Sequence, residues 1–179
     1  MSPILVRPVR EQLEHDRIIR LLGAKNKRKH EVGINPGAEQ NAAVVNNGVT
    51  LYPDVVLSSP ERGHKLQTVI EIETGESVNG LEAKAQWAQY GRIRADFHLY
   101  VPGGMVDVAR RLCDENDVRV LEIYSYHAVG DQLRFVLVHR NKDLPPLPPA
   151  PKPVKPVAPV AAKKPVAKPA KPAAKKAAP

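Results

Sequence analysis

Two apolar runs in this chain carry carboxylates in their interiors, and that placement narrows the folds open to it. Residues 51–57 read Leu-Tyr-Pro-Asp-Val-Val-Leu, with Asp54 after Pro53, and residues 68–74 read Thr-Val-Ile-Glu-Ile-Glu-Thr, with Glu71 and Glu73. A carboxylate inside an apolar strand must be paired, protonated or bound to a cation. Side chains alternate faces along a strand, so Glu71 and Glu73 share one face and Ile70 and Ile72 the other. If the Asp54 strand pairs beside theirs, three acids gather at one edge of a sheet. A plainer arrangement stays open. Glu71 and Glu73 can face solvent opposite Arg or Lys of neighbouring strands, and Asp54 can be a turn acid after Pro53.

The surrounding pattern gives the order of elements. Residues 8–22 read as a first helix, with Pro8 suited to its start and Gly23 to its stop. Ile18, Leu21 and Leu22 mark its apolar face, with Glu11, Glu14 and His15 on or beside it. The basic run 25–30 follows; it reads as a solvated loop or as a phosphate contact. A short strand is expected at 31–34. Asn46-Asn47-Gly48 between apolar runs 42–45 and 49–57 predicts a β-hairpin. Residues 66–74 form the next strand. A helix over 80–92, capped by Asn79 or Ser77, places Ala83, Trp87 and Tyr90 on one face with Gln86 beside them. An aromatic pair at that spacing normally packs a sheet, and Trp87 is assigned to the core. A strand at 97–101, a helix at 105–116, and strands at 118–124 and 133–139 complete the globular part. This sequence of elements predicts an α/β (α+β) domain, a mixed central sheet flanked by helices.

Charge divides the chain at about residue 140. Of 27 Lys+Arg and 19 Asp+Glu, nine lysines and one acid fall in 141–179, leaving 18 of each in 1–140. The formal charge of +8 therefore belongs to the tail. Twelve of the 18 prolines lie beyond Asp143, mixed with Lys, Ala and Val. Such a segment cannot bury enough apolar surface to offset its ordering entropy. The expected organisation is a neutral domain at 1–140 and a disordered basic arm at 141–179, an arrangement suited to a polyanionic partner.

Pro53-Asp54, sixteen intervening residues and Glu71-Ile72-Glu73 resemble the PD-(D/E)XK nuclease superfamily. Gln86 and Tyr90 resemble the Q-x-x-x-Y element of some of its branches. The resemblance spans about residues 8–101. It implies a restriction-endonuclease-like fold and a metal-dependent endonuclease that hydrolyses phosphodiester bonds. Asp54 and Glu71 would bind Mg²⁺ or Mn²⁺, which suit hard oxygen ligands and bridge to phosphate. Gln86 and Tyr90 would orient phosphate or a metal-bound water. Glu73 stands where the family usually has lysine; it would act as base or hold a second ion. Lys65 or Lys84 would be the replacement cation, Lys84 being poorly placed on its helix relative to Gln86. Glu11 and Glu14 compete for the first-helix acid.

Other chemistry lacks a pattern. The histidines at 15, 30, 64, 98, 127 and 139 show no close metal-ligand pairing, and each reads as a core or surface residue. No G-x-S-x-G, P-loop or G-x-G-x-x-G is present. Cys113, the single cysteine, excludes an intramolecular disulfide and fits a reducing cytoplasm. The first residues do not read as a signal peptide, and no apolar stretch approaches a membrane span. The expected partner is nucleic acid, DNA before RNA, with the tail as a tether; a cytoplasmic or nucleoid-associated place and a homodimer are compatible with this. Two other functions compete. One is a catalytically inactive nuclease-fold module that binds nucleic acid or protein. The other is an interaction domain whose Pro-rich arm is a spacer or ligand.

Overall fold

The computed structural model describes residues 7–144. The tail expected beyond residue 140 lies almost wholly outside the described residues. The elements run α1 (Val9–Asn26), β1 (Glu31–Ile34), β2 (Val44–Asn46), β3 (Val49–Leu51), β4 (Val55–Ser58) and β5 (Leu66–Ile72). A helical segment follows, made of α2 (Gly80–Glu82), a π-helical turn (Ala83–Trp87) and α3 (Ala88–Tyr90). Then come β6 (Asp96–Pro102), a 3₁₀ turn (Gly103–Met105), α4 (Val106–Glu115), β7 (Glu122–Val129) and β8 (Gln132–Arg140).

Six strands form one mixed sheet in the order β1-β4-β5-β6-β7-β8. The β5–β6 and β6–β7 pairs are parallel and the other three antiparallel. The parallel pairs need crossovers, and the 80–90 segment and α4 supply them. Each face has its own core. Ile18, Ile19 and Leu22 of α1 pack with Val55, Leu57, Ile70, Ile72, Tyr100 and Tyr126. On the other face, Ala83, Trp87 and Tyr90 join Ala109, Leu112 and Cys113 against Val56, Val69, Phe97, Leu99 and Ile123. The expected mixed sheet flanked by helices is therefore present.

Several boundaries differ from expectation for physical reasons. Helix α1 runs a turn past Gly23, because Gly23 is buried against β1, and a Cβ there would lie 3.0 Å from the Ile34 side chain. Its buried stripe is His15, Ile18, Ile19 and Leu22, while Leu21 is 41% exposed. The apolar face is thus rotated from the Ile18, Leu21, Leu22 face expected. The expected strand 49–57 breaks at Tyr52-Pro53-Asp54. Pro53 has no N–H to donate to a ladder, so β3 pairs only with β2 and β4 enters the main sheet. The hairpin turn itself is as expected, with Asn47 at φ 50° and Gly48 at φ 81°, the two positive values of a tight hairpin loop. Strand β5 ends at Ile72, so Glu73 lies just past it. Strand β7 starts at Glu122, although Val118 and Val120 are buried beforehand. The expected helix at 80–92 ends at Tyr90 and holds a π-turn, a feature frequent at functional sites.

Candidate functional site

Extending the β4–β5 register by one residue beyond Val55↔Ile70 sets Asp54 opposite Glu71. The two acids are tied directly. Asp54 N–H donates to Glu71 Oε2 at 3.3 Å, and Ile72 N–H donates to Asp54 Oδ2 at 2.8 Å. Both acids line a cleft of about 280 Å³ at this end of the sheet. Helix α1 closes one side through His15, and the 80–90 segment closes the other through Glu82, Gln86, Gln89 and Tyr90. The third wall is Tyr52 with the loop around Gly37–Gln40. Asn35 braces that wall: its amide donates to Ala42 O at 2.8 Å and to Pro53 O at 2.6 Å, and its own Oδ1 accepts from Ala42 N–H at 2.8 Å.

The π-turn positions the helical side of the site. Asn79 caps the segment by accepting from the backbone N–H of Leu81 and Glu82, as expected. Ser77 instead accepts from Thr74 N–H at 2.8 Å and holds the preceding turn. Within the segment Ala83 and Trp87 enter the core, while Glu82, Gln86 and Tyr90 face the cleft. The acceptors around it set the Gln86 amide orientation, with nitrogen inward, donating to Glu71 Oε1 at 3.0 Å and Glu82 Oε2 at 3.2 Å. Asp54, Glu71, Gln86 and Tyr90 are thus brought together as expected.

Glu73 is not at the cleft. Its carboxylate is fully buried behind it, accepting from Trp87 Nε1 at 2.6 Å and from Arg7 at 3.3 Å. The Tyr126 hydroxyl also donates to the Glu73 backbone carbonyl at 2.7 Å. The picture of three acids meeting at one edge therefore reduces to two, with the third held one layer behind. Trp87 packs the core as expected, and in addition supplies the donor that makes this burial tolerable. Lys65 is exposed at the opposite end of β5, and Lys84 is exposed on the helix; neither is among the residues lining the cleft.

The first-helix position belongs to neither glutamate. Glu14 is exposed and Glu11 half-buried, and neither lines the cleft. His15 does, with Nε2 at 3.2 Å from Asp54 Oδ2 and Nδ1 at 3.3 Å from Asp16 Oδ1. Asp16 is held in turn by Gln12 Nε2 at 2.7 Å and Gly37 N–H at 3.0 Å. The signal in the sequence was the spacing of His15 to Ile18, Ile19 and Leu22, which puts a titratable ring on the buried stripe. Glu82 was missed as well; it is buried, and it lies four residues before Gln86 on the cleft side.

The electrostatics follow from crowding acids in a dry place. Burial, then the charges of Asp54 and Glu73, raise the Glu71 carboxyl well above its ordinary value. Burial pushes Glu73 up to about 7 against the donors around it, and burial also raises Glu82. Burial works against a charged His15, yet the Asp54 carboxylate outweighs it and the imidazole is raised. Burial and four surrounding acids likewise hold the Tyr90 hydroxyl protonated. Four acids thus face the cations Arg7 and His15. Among the described residues, no group of three or more His, Cys, Asp or Glu is arranged to hold a metal ion. The cleft offers a pair of carboxyl groups, Asp54 and Glu71. That donor set fits a hard divalent ion, which takes one or two carboxylates and fills its remaining positions with water and phosphate. No helix among the described residues is long and apolar enough to cross a membrane. Comparison of the chain with protein-family models, with curated proteins and with solved structures found no match.

Proposed function

We propose that the protein is a metal-dependent nuclease of restriction-endonuclease-like architecture that hydrolyses phosphodiester bonds, with DNA as its substrate and the basic tail as a non-specific tether. The observation that carries this reading is the pair Asp54 and Glu71, set at opposed positions where β4 and β5 adjoin, tied by a hydrogen bond from the Asp54 backbone N–H to the Glu71 carboxylate and lining one cleft. A divalent cation such as Mg²⁺ or Mn²⁺, if bound there, would supply Lewis-acid activation of water and offset charge on the phosphate.

The chain's own side chains do the positioning. Asp54 and Glu71 would hold the cation. Gln86 fixes Glu71 Oε1, and His15 with Ile72 N–H fixes Asp54 Oδ2. Tyr90, kept protonated, presents a hydroxyl that can donate to phosphate. Glu73 strengthens the field around Glu71 from behind.

The test is nicking of supercoiled plasmid by the full chain in Mg²⁺ and Mn²⁺. Asp54→Asn or Glu71→Gln should lower the rate at least ~100-fold with the fold intact, as expected for the loss of a positioned electrostatic group. A wild-type chain that leaves duplex DNA, single strands and RNA intact in both metals refutes catalysis. Among the described residues no lysine lines the cleft, which favours a second reading in that event, a non-catalytic nucleic-acid-binding module.

A further inference from the structure

An acidic cleft repels the phosphates it is meant to receive, and Arg7 is already engaged by Glu73. Positive charge that seats a polyanion must come from elsewhere. The body of the chain is neutral overall, but its cations are not evenly spread. The turn after α1 carries Lys27, Arg28 and Lys29, all exposed, and the loop between β4 and β5 carries exposed Arg62 and Lys65. Distant in sequence, the two segments are locked together in space. His30 Nδ1 lies 2.8 Å from Gln67 Oε1, His64 Nδ1 lies 2.5 Å from Glu31 Oε2, and Glu31 pairs with Ser58 in the β1–β4 ladder. Five cations therefore form one ridge, offset locally by Glu31 and Glu61.

The ridge is aimed. Strand β1 is the edge of the main sheet; it begins at Glu31 beside the ridge and ends at Ile34, next to the cleft residue Asn35. Four residues of strand span roughly 13 Å, about four base-pair steps of a duplex at about 3.4 Å each. A backbone seated on the ridge and running along β1 brings a phosphate a few steps away to Asp54 and Glu71.

We propose that Lys27, Arg28, Lys29, Arg62 and Lys65 form a phosphate-backbone docking ridge for duplex nucleic acid, separate from the tail, that delivers the strand to the cleft. Segments 25–30 and 59–65 hold no large apolar side chain to enter a bilayer, so the chemistry favours a nucleic-acid backbone over a lipid surface. The proposal rests on nucleic acid being the partner and does not depend on cleavage.

The test is equilibrium binding of the full chain to a short duplex with EDTA present, at several salt concentrations. Replacing Lys27, Arg28 and Lys29 by glutamine should weaken binding at least ~10-fold at low salt and reduce the slope of log K against log salt by about 2 to 3, near 0.9 for each phosphate no longer neutralised. Arg62→Gln with Lys65→Gln should give a smaller change of the same kind, from the other side of the ridge. Both variants should melt within a degree or two of wild type, since the replaced groups are exposed. Unchanged affinity and slope in both, with weakening only when tail lysines 163, 164 and 168 are replaced, overturns the ridge. Weakened binding to phosphatidylserine vesicles but not to duplex also overturns it. Because EDTA suppresses metal chemistry, failure of the nuclease reading leaves this result interpretable.

Discussion

His15 Nε2 stands 3.2 Å from Asp54 Oδ2, the oxygen that also accepts the Ile72 backbone N–H at 2.8 Å. A residue from the first helix therefore fixes the orientation of a strand acid 39 positions away. His15→Ala removes this partner and leaves a buried carboxylate with one donor fewer, which should cost about 1–3 kcal/mol. Chemical denaturation checks the loss. A variant as stable as wild type would show that the ring only fills space.

Metal binding should release protons. Glu71 is raised well above its ordinary value, by burial first and by Asp54 and Glu73 next. A cation must displace that proton, so Mn²⁺ affinity should climb as pH rises from about 5 to about 8. Calorimetry in two buffers of different ionisation enthalpy measures the release. Glu71→Gln should abolish both effects. Affinity independent of pH in the wild type would remove Glu71 from the ligand set.

Stability should fall as pH rises. The Glu73 carboxyl titrates at about 7 in the folded chain against an ordinary 4.5. Between those values the folded state holds a proton that the unfolded chain has lost, so stability declines through this window and the penalty is complete above about pH 7. His15 acts in the same direction: raised above 6.5, it adds stability that is present below that value and is lost as pH climbs through its folded value. Melting temperatures measured at about pH 5, 6, 7 and 8 should therefore descend, and Glu73→Gln should flatten the descent. A Glu73→Gln profile that stays parallel to wild type contradicts the Glu73 assignment.

Trp87→Phe separates packing from hydrogen bonding behind the cleft. Phenylalanine fills much of the same space but cannot donate to Glu73 Oε1, which Trp87 reaches at 2.6 Å. A buried acceptor deprived of its donor costs about 1–3 kcal/mol beyond the lost volume. Adding Glu73→Leu should recover part of that loss, because no charge then needs a donor. No recovery in the double variant would assign Trp87 to packing alone.

Gly33→Ala tests the wall of the cleft. A Cβ at this position would lie 2.3 Å from the Ala42 Cβ, and neither atom belongs to a flexible side chain. Strand β1 or the segment bearing Ala42 must move, at about 1–3 kcal/mol. Thermal unfolding should show the loss, and Gly75→Ala, where nothing lies within 4 Å, is the neutral control.

Local chemistry was legible in the sequence wherever one residue sufficed to decide it. Asn47-Gly48 fixed the hairpin turn, and the helix cap was narrowed to Asn79 or Ser77, of which Asn79 caps. The bounds of β1 were read correctly, and the pattern of elements gave a mixed sheet. The break at Pro53 was not read, because the apolar run around it suggested a continuous strand.

Tertiary structure decided what depends on partners far along the chain. Gly23 continues its helix because β1 packs against it. His15, and not Glu11 or Glu14, reaches Asp54 because α1 is rotated as it crosses the sheet. Glu71 opens to the cleft while Glu73, just past the end of β5, is closed off by Trp87 and Arg7, 14 and 66 residues distant. The sequence alone placed acids where acids are costly. Which of them stays available is set by where donors arrive in space, since a buried charge persists only where the fold brings it a partner.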